Sequence, residues 1–244
     1  MSTSETTVEP RSGLLNVVDI VVAPNAAFAR LRVVPSWGWA FLVTTVLAIA
    51  GSILTEPAVL HALGQTLPAQ MAQQMQNVEP AQRDARIQQT LALIHQFWWV
   101  GWIFVPIFIL AVALIQALIM QIANAAGHGD GTFGRFFALA VTIEVVGYGL
   151  LTLLQGIIAL VRGPDSFDTP AAVTASVPGL AMLAPGAGTK LLTFLAFFNV
   201  VSLWTTALLA LGMIAVARIP RVTAWATAGL TLLLTAAVFA AIAR

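Results

Sequence analysis

The chain has 244 residues, of which 59% are hydrophobic and only 9% are charged, and its mean hydropathy is +0.91. A water-soluble domain carries about 25% charged residues, so this composition excludes one, and it also excludes intrinsic disorder for most of the chain. The net charge of +1 provides no basic field for nucleic acid. Cysteine is absent, which excludes disulfides, thiolate metal sites and cysteine nucleophiles. The composition therefore predicts an all-α integral membrane protein with several spans.

Residues 1–35 are predicted to form a solvated tail followed by two short interfacial helices. In the apolar stretch Leu14–Val22, the polar residues Asn16 and Asp19 are three positions apart and share one helical face. This pattern is typical of a helix that lies in the membrane interface. Pro24 suits the first turn of the second helix, because its fixed φ angle matches the helix and its missing N–H is not needed there.

The rest of the chain, residues 36–244, is predicted to form one membrane domain. Its apolar stretches are long enough to cross a hydrocarbon core of about 30 Å. Tryptophans at the start of the first two stretches are typical of a membrane interface. The five predicted spans cover residues 36–55, 97–123, 136–161, 190–216 and 223–243. The predicted fold is therefore a bundle of five transmembrane helices.

A long, glutamine-rich connection joins the first two predicted spans. Three prolines divide it, and the apolar residues around Met71 and Ile87 have helical spacing. The pattern predicts two amphipathic helices outside the bilayer, the second of which leads into the next span. These helices could bind a partner protein or lie on the lipid surface, and the sequence leaves both alternatives open.

The distribution of basic residues bears on the orientation of the chain, because loops on the cytoplasmic side carry more lysine and arginine. Five spans place the two termini on opposite sides, and the side of the N-terminus has slightly more basic residues. The count therefore favours a cytoplasmic N-terminus. The basic residues are Arg11, Arg30, Arg32, Arg135, Arg218 and Arg221 on that side, and Arg83, Arg86, Arg162, Lys190 and Arg244 on the other.

Small side chains recur every four residues along the first predicted span. Such a ridge allows another helix to approach closely, and one hypothesis is that it joins two copies of the chain. The ridge consists of Ala40, Thr44, Ala48 and Ser52.

Glu144 is the most informative residue, because it lies inside the third predicted span. A carboxylate at that depth costs at least ~2.5 kcal/mol unless it is paired or protonated, so we expect it to face other helices or water. Tyr148 and Thr152 follow at four-residue intervals, and Gln155 lies close to the same line. The stripe predicts either a proton or cation site, or a buried polar contact that fixes helix packing.

Hydrogen-bond partners for Glu144 are available on two other predicted spans. Gln116 lies on the second span, and Asn199 and Ser202 lie on the fourth. Because no basic residue lies in the interior of a predicted span, we do not expect an ion pair. We expect the fourth span to pack against the third and Asn199 to form a hydrogen bond with Glu144.

The sequence offers no recognisable catalytic or cofactor-binding motif. The glycine-rich segment Gly127–Gly131 lacks the lysine and hydroxyl residues of a phosphate-binding loop and follows no predicted strand, so it is interpreted as a flexible turn. The three histidines, at positions 61, 95 and 128, lack metal-ligand spacing. We therefore expect no enzymatic activity, no metal and no cofactor.

Several short motifs resemble the prokaryotic branch of the Yip family, five-span membrane proteins first described as interacting with Ypt/Rab GTPases. They follow one another along the chain as Pro24–Phe28, Pro35–Trp37, Gly131–Phe136, Gly147–Tyr148, Phe198–Trp204 and Gly212. The resemblance extends from about Asn25 to the end, and it rests on the order of the motifs and on the five-span layout. It implies a membrane adaptor without catalytic residues. The short N-terminal region has no recruitment motif, so a GTPase-binding role does not follow.

These observations predict a non-enzymatic scaffold or adaptor in a bacterial inner membrane, which contacts the lipid bilayer and either a protein partner or further copies of itself. The alternative is a carrier or transporter component that uses Glu144, Tyr148 and Asn199. That alternative predicts a water-accessible cavity between the third and fourth spans. The sequence does not identify a small-molecule substrate, and it contains no internal repeat of the kind found in many transporters.

Overall fold

A computed structural model describes residues 12–76, 78–184 and 186–243, and these residues form helices joined by short connections. Five of the helical stretches are long and apolar enough to cross a membrane. The protein is therefore an all-α, multi-pass membrane protein, as the composition predicted. The predicted solvated tail, up to residue 11, lies outside the described residues.

The helices are numbered in chain order. The N-terminal region contains α1 (Ser12–Val22) and α2 (Pro24–Val33), and the first two spans belong to α3 (Gly38–Gln74) and α5 (Val100–Gly127), with α4 (Pro80–Phe97) between them. The third span consists of α6 (Phe133–Glu144), a π-helical turn (Val145–Leu150) and α7 (Leu151–Arg162). The remaining helices are α8 (Pro170–Thr174), α9 (Thr189–Ala196), α10 (Val200–Ala217) and α11 (Arg221–Ile242), with 3-10 turns at Pro164–Ser166 and Leu180–Leu183.

The helices α1 and α2 form a hairpin within the bundle, which corrects the prediction of helices lying flat in the interface. A flat interfacial helix turns its polar side chains towards water, but Asn16 is buried and Asp19 is largely covered. Gly13 in the first turn of α1 lies against Trp39 at the start of α3, whereas Val21 borders a cavity deep in the third span. Helix α1 therefore runs along the spans. Its outward side chains are apolar, namely Leu14, Leu15, Val18, Val21 and Val22.

Polar groups hold the two arms of this hairpin together. Arg30 of α2 forms an ion pair with Asp19 of α1, and its Nε donates a hydrogen bond to Oδ1 of Asn16 at 2.7 Å. The side-chain amide of Asn16 in turn donates to Oγ of Ser36 at 3.2 Å. These bonds satisfy polar groups whose burial would otherwise be costly. Sequence analysis found Asn16 and Asp19 but not their shared partner, because Arg30 lies on a different helix.

The first span extends further than predicted. Helix α3 has 37 residues, which corresponds to about 55 Å at 1.5 Å per residue. The predicted span ended at Thr55, and Pro57 and Pro68 were expected to break the connection that follows, but the helix continues through both. Only Pro80 marks a boundary, at the first turn of α4. The first predicted loop helix is thus the end of α3, and α4 packs against α3 with Ile87 buried.

The small-residue ridge of α3 is used within the chain. Its first three members are buried and the fourth is half-buried, in the order Ala40, Thr44, Ala48 and Ser52. The closest approach is at Gly51, where an added Cβ would collide with the backbone of Thr152 in α7. Gly149 of the π-helical turn also lies against α3, where Cα of Thr44 is 3.3 Å from the position of an added Cβ. In this arrangement the ridge is therefore not available to join two copies, because the second and third spans already cover it.

The fourth span is interrupted, whereas a continuous helix was predicted over residues 190–216. Helices α9 and α10 are separated at residues 197–199. The N–H of Leu180 donates to the carbonyl of Phe198 at 3.1 Å, and the N–H of Val200 donates to the carbonyl of Pro178 at 3.2 Å. The preceding connection thus satisfies backbone groups that the break releases, as apolar surroundings require.

The main core lies where α2, α5, α6 and α10 meet. Phe28, Leu139 and Met213 are fully buried there. An added Cβ at Gly212 of α10 would lie 2.7 Å from Cδ1 of Leu139 in α6, so these two helices are in close contact. The expectation that the fourth span packs against the third is confirmed.

Candidate functional site

Glu144 occupies the junction between α6 and the π-helical turn. The residue is 6% exposed, and the side chains from Ala138 to Val146 around it are all buried. Gln116 of α5 donates a hydrogen bond from Nε2 to Oε1 of Glu144 at 2.6 Å. The carboxyl group therefore faces other helices, and its partner is one of the residues that sequence analysis considered.

The side-chain oxygen of Gln116 is also buried. Oε1 of Gln116 has no hydrogen-bond partner among the described residues. An unpaired buried amide oxygen costs about 1–3 kcal/mol, and such groups in native proteins occur at sites of strain or of functional roles. Glu144 and Gln116 together thus form a compact polar centre within the apolar bundle.

The π-helical turn brings three spans together beside Glu144. An added Cβ at Gly147 would lie 2.8 Å from Cγ2 of Thr205 in α10 and 3.7 Å from Oε2 of Glu144. On another side of the turn, Gly149 lies against Thr44 of α3. A π-helical turn widens the helix and is found frequently at functional sites. The turn was not predicted from the sequence. Its signal is a pair of glycines, Gly147 and Gly149, on either side of the only tyrosine inside a span.

The remaining residues of the predicted stripe form no hydrogen bond with Glu144. Tyr148 is half-buried and its ring contacts that of Phe108, with centroids 5.5 Å apart, beside a cavity of about 260 Å³. The hydroxyl of Thr152 donates to the carbonyl of Tyr148 in its own helix at 2.7 Å. Gln155 donates to the carbonyl of Thr174 at 3.1 Å, in the connection outside the span. The structure therefore joins only Glu144 and Gln116 directly.

Asn199 does not form the expected hydrogen bond with Glu144. Its Oδ1 accepts from the backbone N–H of Ser202 at 2.9 Å, and its Nδ2 donates to the carbonyl of Ala196 at 2.8 Å. Asn199 is thus the N-cap of α10, a position that asparagine favours because its side chain satisfies an unpaired N–H. The spacing from Asn199 to Ser202 is the signal that sequence analysis could have used.

A cavity of about 420 Å³ lies between the third and fourth spans, where the carrier alternative predicted access for water. Its lining includes Leu150, Leu154, Val201 and the aromatic Trp204, and the other lining side chains are aliphatic. An apolar cavity of this kind does not attract water. The cavity between these spans is therefore not the water-accessible cavity that the carrier alternative predicted.

Comparisons with known proteins agree with the membrane class. The membrane protein YknW of Bacillus subtilis strain 168 is 25% identical to this chain over 229 residues, which cover 92% of this chain and 90% of YknW. No family model matches the chain, so the resemblance to the Yip family stays a prediction. No solved structure matches it either. The structure and this relative together identify the chain as a multi-pass integral membrane protein.

Proposed function

We propose that the protein is a non-enzymatic scaffold or adaptor of a bacterial inner membrane, which binds partner proteins or organises the bilayer around it. The observation that carries this proposal is how the polar side chains of the spans are used. The hydroxyls of Thr44, Thr142, Thr152, Thr205 and Thr206 all donate to carbonyls of their own helices. A transport path needs polar groups that face a shared opening, whereas these hydroxyls are hydrogen-bonded within their own helices.

The extended helices outside the bundle provide a surface for a partner. Because α3 exceeds the thickness of the hydrocarbon core by about 25 Å, its end projects from the bilayer together with α4. Helix α4 packs on α3 and has only Ile87 buried among the side chains described. Leu93, in contrast, is 45% exposed. A projecting hairpin of this kind suits binding through the face of an amphipathic helix.

The proposed orientation places the N-terminus in the cytoplasm. Of the described residues, those on the face of the α1–α2 hairpin include five arginines, and those on the opposite face include four lysines and arginines. Two of the latter, Arg83 and Arg86, lie in α4 and more than ten residues from α5, so they count less. The bias of basic residues supports the cytoplasmic assignment.

One observation favours the alternative of a carrier or transporter component. Glu144 and the unpaired Oε1 of Gln116 lie next to a π-helical turn, and ionisable residues inside membranes often belong to proton or ion pathways. Tyr148 and Asn199, which this alternative also assigned to the site, contact neither of these two side chains through hydrogen bonds. The alternative therefore reduces to a pathway through Glu144 and Gln116.

Photo-crosslinking in native membranes tests the scaffold. A benzophenone amino acid is introduced at Leu93 on α4, and a matched control is introduced at Ile115, which is 57% exposed on the second span. A discrete protein adduct at Leu93, with mainly lipid adducts at Ile115, is expected. The adduct should persist when Glu144→Gln is added. Equal protein crosslinking at both positions, or none at Leu93, contradicts the proposal.

The carrier alternative is tested on the purified protein in liposomes. Proton and cation fluxes are compared for the wild type, Glu144→Gln and the empty vesicles. A flux that the wild type carries and Glu144→Gln loses would establish the carrier and overturn the scaffold. Equal flux in all three samples is the expected result.

A further inference from the structure

A cluster of arginines surrounds one aspartate at the membrane face where α2 ends and the third span begins. Nη2 of Arg32 lies 3.0 Å from Oδ2 of Asp130, and Nη1 of Arg218 lies 3.6 Å from the same oxygen. Nη1 of Arg135 donates to the backbone carbonyl of Asp130 at 3.4 Å. Three guanidinium groups from three separate elements thus converge on Asp130, two on its carboxylate and one on its backbone carbonyl.

The loop that carries Asp130 is held in place, which corrects its interpretation as a flexible turn. The N–H of Asp130 donates to the carbonyl of Ala217 at 2.9 Å, and the N–H of Gly131 donates to Oδ1 of Asn124 at 3.1 Å. An added Cβ at Gly129 would lie 2.6 Å from the carbonyl oxygen of Ala217, so only glycine fits there without movement. Asp130 is therefore positioned by a fixed backbone.

The cluster carries more positive charge than its aspartate can neutralise. Arginine is always protonated, so three arginines and one carboxylate leave an excess of two positive charges. The side chain of Arg218 is 71% exposed, and Arg221 follows within one helical turn. Among the described residues, this face has five arginines against two aspartates, whereas the opposite face has four basic and five acidic residues.

We infer that Arg32, Arg135 and Arg218 form a binding site for a phosphate group beside Asp130, whose single carboxylate leaves the cluster with a net positive charge. The planar guanidinium forms paired hydrogen bonds with phosphate oxygens. At this membrane face the phosphate is that of an anionic lipid headgroup or a free phosphate from solution. The site does not depend on the scaffold function, because it requires only that these residues border the headgroups.

Lipid retention measured by native mass spectrometry tests the site. The purified protein, in a neutral detergent, is titrated with phosphatidylglycerol, phosphatidylcholine or sodium phosphate. Basic residues near a membrane surface each contribute about fivefold to anionic lipid binding. Arg135→Gln with Arg218→Gln should therefore weaken phosphatidylglycerol retention by roughly thirtyfold. The matched control, Arg83→Gln with Arg86→Gln on the opposite face, should leave retention unchanged.

Asp130→Asn separates binding from structural support. Loss of the carboxylate increases the local positive charge, so phosphatidylglycerol retention should rise several-fold, whereas a purely structural cluster would lose retention. Preference for phosphatidylglycerol over phosphatidylcholine assigns the site to lipid, and saturable binding of sodium phosphate without that preference assigns it to free phosphate. Unchanged retention in the double arginine variant, or a decrease in Asp130→Asn, overturns the proposal.

Discussion

Gly51→Ala tests how the first and third spans are joined. At Gly51 an added Cβ would collide with the carbonyl carbon and oxygen of Thr152, and backbone atoms cannot rotate away as a side chain can. Gly64 provides a matched control on the same helix, since an added Cβ there meets nothing within 4 Å. Both changes gain the same helix propensity of about 1 kcal/mol. The difference between the two variants therefore isolates the collision.

Overpacking of a core costs about 1–3 kcal/mol, and the value at Gly51 should fall at the upper end because the obstacle is backbone. We expect Gly64→Ala to be neutral or stabilising by up to about 1 kcal/mol, and Gly51→Ala to be about 2–3 kcal/mol less stable than Gly64→Ala. The free energy of unfolding is measured by titration with sodium dodecyl sulfate in mixed micelles. Equal stability of the two variants would refute the close contact between α3 and α7.

Three further predictions use the same unfolding assay. Gln116→Leu should cost about 1–3 kcal/mol because it leaves the carboxyl of Glu144 without its partner, whereas Glu144→Gln, which can still accept the hydrogen bond, should cost less. Asn199→Ala should cost about 1 kcal/mol through loss of the N-cap of α10, and Asn199→Ser should retain most of that stability. Asp19→Ala should lower the free energy of unfolding by about 1.5–3 kcal/mol. Arg30→Ala should cost less stability in the Asp19→Ala background than in the wild type, because its partner is already lost. Additive costs would exclude a coupled pair.

The five spans were predictable because each apolar stretch has to match the thickness of the bilayer. The breaks within the spans were less predictable, because a proline or glycine can either end a helix or be accommodated inside it. Pro57 and Pro68 lie inside α3 where a break was predicted, while the break in the fourth span falls at Asn199, in a stretch that was read as continuous. Local propensity gives the possible helix boundaries, and tertiary contacts decide which of them occur. One such contact is the hydrogen bond from the N–H of Val200 to the carbonyl of Pro178 at the break.

The candidate site was only partly predictable for a related reason. Depth in the bilayer identified Glu144 as a residue that needs a partner, but Gln116 and Asn199 were equally available until the helices were placed. The side chain of Asn199 is already hydrogen-bonded to the backbone beside it, because a short polar side chain readily reaches nearby backbone groups. Gln116, with a longer side chain in the middle of α5, has no such local alternative and reaches across to Glu144.

The position of Glu144 indicates what a lone polar pair does in a bundle of this kind. Average interhelical hydrogen bonds in membranes contribute only about 0.6 kcal/mol, but breaking this one strands a buried carboxyl at a larger cost of about 1–3 kcal/mol. Rotation of α5 by a single residue would move Gln116 away from Glu144, whereas apolar contacts could repack. The glycines of the π-helical turn fix α3 and α10 against the same point. The pair and these glycines together therefore bring four helices into one arrangement around Glu144.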